Sequence, residues 1–136
     1  MKTLGYYNGT YDELENMMVP FDDRVCFFGD GVYDAGPARN YHLFAIDEHI
    51  DRFFNSAKLM DMEIPCSKEE LKELLTSLVQ KMDTGDNFVY WACTRGTGIR
   101  NHVYEKGPGN LWVMIKPDHI DPCQKPIKCV TAEDKR

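Results

Sequence analysis

The 136-residue chain has no long apolar run. Nothing in it approaches the roughly 20 consecutive apolar residues that a membrane-spanning helix needs, so the expectation is a protein with no membrane partner. Patterned cysteine is also missing. Cys26, Cys66, Cys93, Cys123 and Cys129 are odd in number and share no metal-like or redox-like spacing, and the four histidines are scattered. This excludes a disulfide framework and a recognisable zinc site. Cys93 and Cys129 stand in apolar runs. They read as buried free thiols, which fits a reducing, cytoplasmic setting. Positive charge is in deficit: 16 Lys and Arg against 22 Asp and Glu leave a net charge of −6. That argues against a general nucleic-acid binder or a ligand of anionic membranes. The start, Met1-Lys2-Thr3-Leu4-Gly5-Tyr6, turns polar too early for a secretory signal. Internal repeats and low-complexity tracts are absent. At 43% hydrophobic and 28% charged residues, the composition is that of an ordinary globular domain, and the length suits one domain rather than two.

Residues 4–7, Asn8-Gly9 and residues 10–11 read as a hairpin, with aromatic strand residues around an Asn-Gly turn. A polar, irregular stretch leads to Phe27-Phe28. Residues 33–35 and 41–46 read as strands, with Gly36-Pro37 as the turn between them. Two helices follow. Asp47 is placed to cap the first, and Ile50, Phe53, Phe54, Ala57 and Met60 recur on one face. Ser67 and Glu70 have the spacing of a capping box for the second, whose apolar face is Leu71, Leu74, Leu75, Leu78 and Met82. Strands are expected at 88–94 and 111–115, with a Gly/Pro-containing loop at 106–110 between them. Strands, two adjacent helices, then strands again predict an α+β fold: a mostly antiparallel sheet with two helices packed on one face. The division expected is a small domain at 1–115, a proline-rich linker at 116–126, and at 127–136 the first strand of a further, larger domain.

The residues that could carry chemistry lie in four segments. Phe28-Gly29-Asp30-Gly31-Val32-Tyr33-Asp34 flanks a carboxylate with glycines and then offers a phenol; by itself it also fits a hairpin turn. His49-Ile50-Asp51-Arg52 puts a guanidinium near a helix start. Its planar donors suit a phosphate, although Asp51, Glu48 or Asn55 could simply pair with it on a solvated face. Thr94-Arg95-Gly96-Thr97 ends a dense strand, and Arg95 fits an ion pair with Asp30 or Asp34. Arg100-Asn101-His102 sets a guanidinium and an imidazole one residue apart, a pair able to clamp a carboxylate or merely to populate an exposed loop. Asp30 fits a turn role, His49 is given no catalytic role, and Trp91 and Trp112 read as core aromatics.

Taken in order, these segments resemble the class IV, or fold type IV, pyridoxal-phosphate aminotransferases, most closely the D-amino-acid aminotransferase branch. The resemblance covers nearly the whole chain but only the amino-terminal portion of the family. It implies that Arg52 binds the phosphate of pyridoxal 5′-phosphate. It further implies that Tyr33, Arg100 and His102 bind the substrate α-carboxylate, with Arg100 and His102 reaching into a neighbouring subunit's site and hence a homodimer. An amino acid and a 2-oxo acid would be the substrates. The family's Schiff-base lysine lies in the second domain, after the segment that residues 127–136 resemble. Lys125, Lys128 and Lys135 do not stand in its context, so no catalytic residue is assigned in this chain, and the chain alone is expected to be inactive. Rival readings are a branched-chain aminotransferase, an aminodeoxychorismate lyase and a non-catalytic binding module. The Arg-x-His pair favours the D-amino-acid branch.

Overall fold

The computed structural model describes residues 1–119 and 126–134. Strands β1 (Leu4–Tyr7), β2 (Thr10–Asp12), β3 (Gly31–Arg39), β4 (His42–Leu43), β5 (Asn87–Thr94) and β6 (Asn110–Pro117) form one sheet in the order β2-β1-β6-β5-β3-β4. Every neighbouring pair is antiparallel. Besides a 3₁₀ turn at Leu14–Asn16 the described residues form three helices: α1 (Arg24–Phe28), α2 (Ile46–Leu59) and α3 (Lys68–Val79). The α+β expectation therefore holds.

Strand alternation divides the sheet into two faces. Val32, Ala38, Val89, Trp91, Cys93, Leu111, Val113 and Ile115 point to one side. There they form a single core with Ile50, Phe53 and Ala57 of α2 and Leu71, Leu75 and Leu78 of α3. The intervening positions, among them Tyr33, Tyr90, Trp112 and Met114, line the opposite face, where an apolar groove of about 300 Å³ lies beside Met17 and Met18. The capping box of α3 forms as predicted: Ser67 Oγ accepts the Glu70 amide at 3.1 Å, and Glu70 Oε2 accepts the Ser67 amide at 2.7 Å. Ser67→Ala removes the first of these and is expected to lower stability by about 1 kcal/mol, read as a shift of the urea midpoint.

Several local expectations are corrected. Gly36-Pro37 is not a turn; β3 runs straight through it to Arg39, and the reversal falls at Asn40 and Tyr41, both with positive φ. Pro37 is tolerated because its carbonyl, which accepts the Phe44 amide, faces the short β4 edge, so its missing N–H falls on that side. A Cβ on Gly36 would stand 3.0 Å from His49 Nε2, so the glycine lets α2 approach the sheet. Asp47 does not cap α2. The helix begins at Ile46 behind a left-handed Ala45, and Asp47 bonds Lys72 of α3 at 2.7 Å instead. The stretch before Phe28, expected to be irregular, contains α1. Residues 126–134 pair with no strand of this sheet; the strand expected at 127–136 belongs, on that expectation, to a further domain and would find its partner there, since a strand exists only where another can hydrogen-bond to it. Residues 120–125 of the expected linker, residues 135–136 and Cys123 lie outside the described residues. Cys93 is buried as expected, and burial pushes its thiol up to about 12, whereas Cys129 is exposed. Among the described residues no helix is long and apolar enough to cross a membrane, and no cluster could hold a metal ion.

Candidate functional site

The start of β3 organises the site. Asp23 caps α1 by accepting the Val25 amide, and Gly29 ends the helix with φ 62°, a conformation that suits glycine. The first glycine of the motif is thus a helix stop, and the hairpin alternative is overturned. Gly31 opens β3 with the Cys93 carbonyl 3.0 Å from where a Cβ would stand, which brings the β3 and β5 backbones close together. Between the glycines, Asp30 is not a turn acceptor. Burial opposes its ionisation, but hydrogen bonds from Arg95 and Arg24 prevail and hold its carboxyl below the usual range. Both guanidinium Nε atoms donate to it at 2.9 Å. The Arg95–Asp30 pair is one of the two partners expected for Arg95.

Alternation then sends Tyr33 and Asp34 to opposite faces. Tyr33 points to the open face, 67% exposed, its ring stacked on Tyr90 with centroids 5.4 Å apart. Asp34 points under α2 and is 3% exposed. It receives Arg52 Nε at 2.8 Å and Nη2 at 2.7 Å, a fork-like bidentate pair, and contacts His49 Nδ1 at 2.9 Å. The same His49 Nδ1 also lies 3.1 Å from Arg52 Nη2, so the imidazole, the guanidinium and the carboxylate form one cluster. Burial works against the Asp34 charge, but the Arg52, His49 and Ala35 hydrogen bonds outweigh it and lower its carboxyl. None of the pairings considered for Arg52 on its own helix is used. Its side chain is 65% exposed, and its Nη1 makes no hydrogen bond among the described residues. The guanidinium is therefore oriented from behind and open in front, the donor set that a phosphate dianion fits.

The loop between β5 and β6 carries the second cationic group. Its base is braced by Arg95, which donates to the Met60 and Asp61 carbonyls at 2.8 and 2.9 Å and lies 3.8 Å from the Tyr104 ring centroid. Asp61, at φ 51°, bonds Lys106 Nζ at 2.9 Å and the Tyr104 hydroxyl at 3.2 Å. Farther along, the Arg100 guanidinium lies over the Phe28 ring at 5.2 Å, and the His102 ring centre is 5.5 Å from that of Phe28. Both are exposed and make no hydrogen bond or ion pair among the described residues. The structure thus brings Arg100 and His102 together and leaves them uncommitted. No hydrogen bond, ion pair or ring contact among the described residues joins either of them to Tyr33 or Arg52. Sequence reasoning missed Asp34 as the partner of Arg52, and it missed Arg24, Phe28 and Asp61. The signal for Asp34 was present: a carboxylate at an inward position of an apolar strand requires a cation behind it.

The α+β sheet domain thus displays one buttressed arginine and one Arg-His pair without hydrogen-bond partners among the described residues, two donor sets whose chemistry suits anions. The profile of the family described as Amino-transferase class IV matches residues 31–136, and the chain belongs to that family. D-alanine aminotransferase of Listeria monocytogenes strain 10403S is 46% identical over 92 residues, 67% of this chain and 32% of that protein. The D-alanine aminotransferase of Bacillus licheniformis is 35% identical over 143 residues, covering all of this chain and 48% of that protein. The chain thus spans between a third and about half of the length of these relatives. Among solved structures, the Escherichia coli branched-chain amino acid aminotransferase matches with a TM-score of 0.75 and 18% identity, over 86% of this chain and 41% of that one. The branched-chain aminotransferase of the archaeon Thermoproteus uzoniensis, solved with norvaline, matches with a TM-score of 0.72 and 18% identity, over 84% and 40%. At such identities the likeness is one of fold.

Proposed function

We propose that this chain is the amino-terminal part of a pyridoxal-phosphate-dependent transaminase that moves an amino group between a D-amino acid and a 2-oxo acid. On this reading residues 1–115 are the small domain, 116–126 the linker, and 127–136 the first strand of a second domain that completes the enzyme. The observation that carries it is the uncommitted Arg100–His102 pair. Two cationic or donor groups left without partners on one ring form a carboxylate clamp, Arg100 contributing charge and N–H edges and His102 a hydrogen bond. The names of the relatives supply the D-alanine side of the reading.

Arg52, held by Asp34, would anchor the cofactor phosphate through its open edge, and Tyr33 would offer its free hydroxyl to the substrate carboxylate from the open sheet face. When bound, pyridoxal phosphate supplies an electron sink that weakens the substrate Cα–H bond. This chain's residues bind and orient; the covalent lysine and the proton transfer belong to the second domain. The resemblance to the D-amino-acid aminotransferases points to a homodimer in which the Arg100–His102 pair serves the neighbouring subunit. By itself the 136-residue chain would not transaminate.

The test is to express the reading frame through the segment that follows residue 136 and to assay D-alanine and L-leucine with 2-oxoglutarate. D-alanine is expected to turn over, and Arg100→Ala is expected to lower its kcat/KM about 100-fold, the loss of a charge-assisted carboxylate contact. Turnover of L-leucine in its place would assign the branched-chain activity instead.

A further inference from the structure

The ring of Phe28 has Phe27 edge-on at 6.2 Å and is shared by three polar side chains. The Arg24 guanidinium carbon lies 4.8 Å from its centroid, that of Arg100 lies 5.2 Å away, and the His102 ring centre is at 5.5 Å with a 46° tilt. The two arginines differ in one decisive respect. Arg24 has its N–H edge occupied: Nε donates to Asp30 at 2.9 Å and Nη1 to the Asn101 carbonyl at 2.6 Å. Arg100 has no edge partner among the described residues. A guanidinium can rest its face on an aromatic ring while its in-plane N–H groups stay free to bond. Asn101, the residue between Arg100 and His102, is the one whose backbone Arg24 holds. Phe28 itself is fixed from below, because α1 is tied to the ends of β5 and β6 through buried Asp23, which accepts the Thr94 hydroxyl at 2.7 Å and the Asn110 amide at 2.9 Å.

We propose that Phe28 is a positioning residue for the carboxylate clamp: its ring, set by Arg24, packs against Arg100 and His102 and so leaves their donor groups free to face outward. The inference rests on the clamp reading of Arg100 and His102. It assigns to the phenylalanine of the first motif a part that none of the four segments suggested by itself. An aromatic platform lowers the number of rotamers Arg100 must give up on binding, without supplying any charge of its own.

The test uses the 136-residue chain in solution, with 2-oxoglutarate as the carboxylate probe and side-chain NMR shifts of Arg100 and His102 as the readout. The wild-type chain is expected to show ring-current shifts on the Arg100 side chain and a saturable response to 2-oxoglutarate. Phe28→Leu is expected to abolish those ring-current shifts and to weaken the affinity about fivefold, while Phe28→Tyr, which keeps the platform, restores both. Unchanged Arg100 shifts in Phe28→Leu, or unchanged affinity after those shifts are lost, would overturn the platform while the clamp stands. Absence of a saturable response, or equal affinity in the Arg100→Ala, His102→Ala double variant, would overturn the clamp itself.

Discussion

Asp34→Ala is expected to destabilise the protein by about 3 kcal/mol and to release Arg52 from its single orientation. The carboxylate is buried and serves three partners at once, with two Arg52 nitrogens, His49 Nδ1 and the Ala35 amide all within 2.9 Å. Removing one side of such a buried, hydrogen-bonded pair costs roughly 3–5 kcal/mol. The lower end applies here because the Arg52 side chain is 65% exposed and can turn to water. The sign of the pH dependence follows from the lowered carboxyl. Its stabilising contribution is fully present above the unfolded value of about 3.9 and is lost as pH falls through that value toward the folded one. Asp34→Asn should therefore be less stable than wild type at neutral pH, and the gap should narrow below about pH 4. Urea midpoints measured from about pH 7 to about pH 3 check this; parallel profiles for the two proteins would show that Asp34 is not ionised behind Arg52. On the proposed function the same substitutions weaken cofactor retention although no ligand of the phosphate is removed, because a guanidinium that must be ordered on binding loses affinity.

Trp91→Ala is expected to be the most damaging core substitution, at about 4 kcal/mol. Trp91 is fully buried in the central strand β5, its ring 6.3 Å from Phe53 and 6.0 Å from His49, so truncation opens a cavity between the sheet and α2. For a domain of this size the melting temperature should fall by about 15 °C, a large part of the stability such domains possess. Trp91→Phe should cost only about 1–2 kcal/mol. The indole Nε1 has no hydrogen-bond partner among the described residues, so the smaller ring gives up packing but no bond. Thermal melts of the two variants side by side separate the cavity from the polar group. Equal losses would mean that the nitrogen is bonded in solution.

Local patterns were legible wherever a neighbour in sequence supplies the partner. The Asn8-Gly9 hairpin, the Ser67–Glu70 capping box and the apolar faces of α2 and α3 follow from the sequence, except Met60, which lies past the end of α2 and is exposed; each is decided by residues within about four positions of one another. The errors fall where the deciding atom comes from far along the chain. Gly36-Pro37 carries the letters of a turn, yet it lies inside β3 because β5 pairs with it and α2 needs the missing Cβ. Asp47 has the letter of a cap but is drawn away by Lys72, 25 residues on.

The candidate site divides along the same line. Sequence by itself determined which side chains are chemically competent: a phenol at Tyr33, a guanidinium at Arg52, an Arg-His pair at 100 and 102, and the family to which their order points. Tertiary structure decided which of them are free. Arg24, Arg52, Arg95 and Arg100 are equivalent as letters. Folding sets a carboxylate or a carbonyl against the first three and, among the described residues, only the ring of Phe28 against the fourth. The reason is physical. A guanidinium's availability depends on what occupies its edges. Here those occupants come from strand alternation at Asp34, from the helix stop at Gly29 and from a loop carbonyl 77 residues beyond Arg24, none of them adjacent in sequence to the arginine they control.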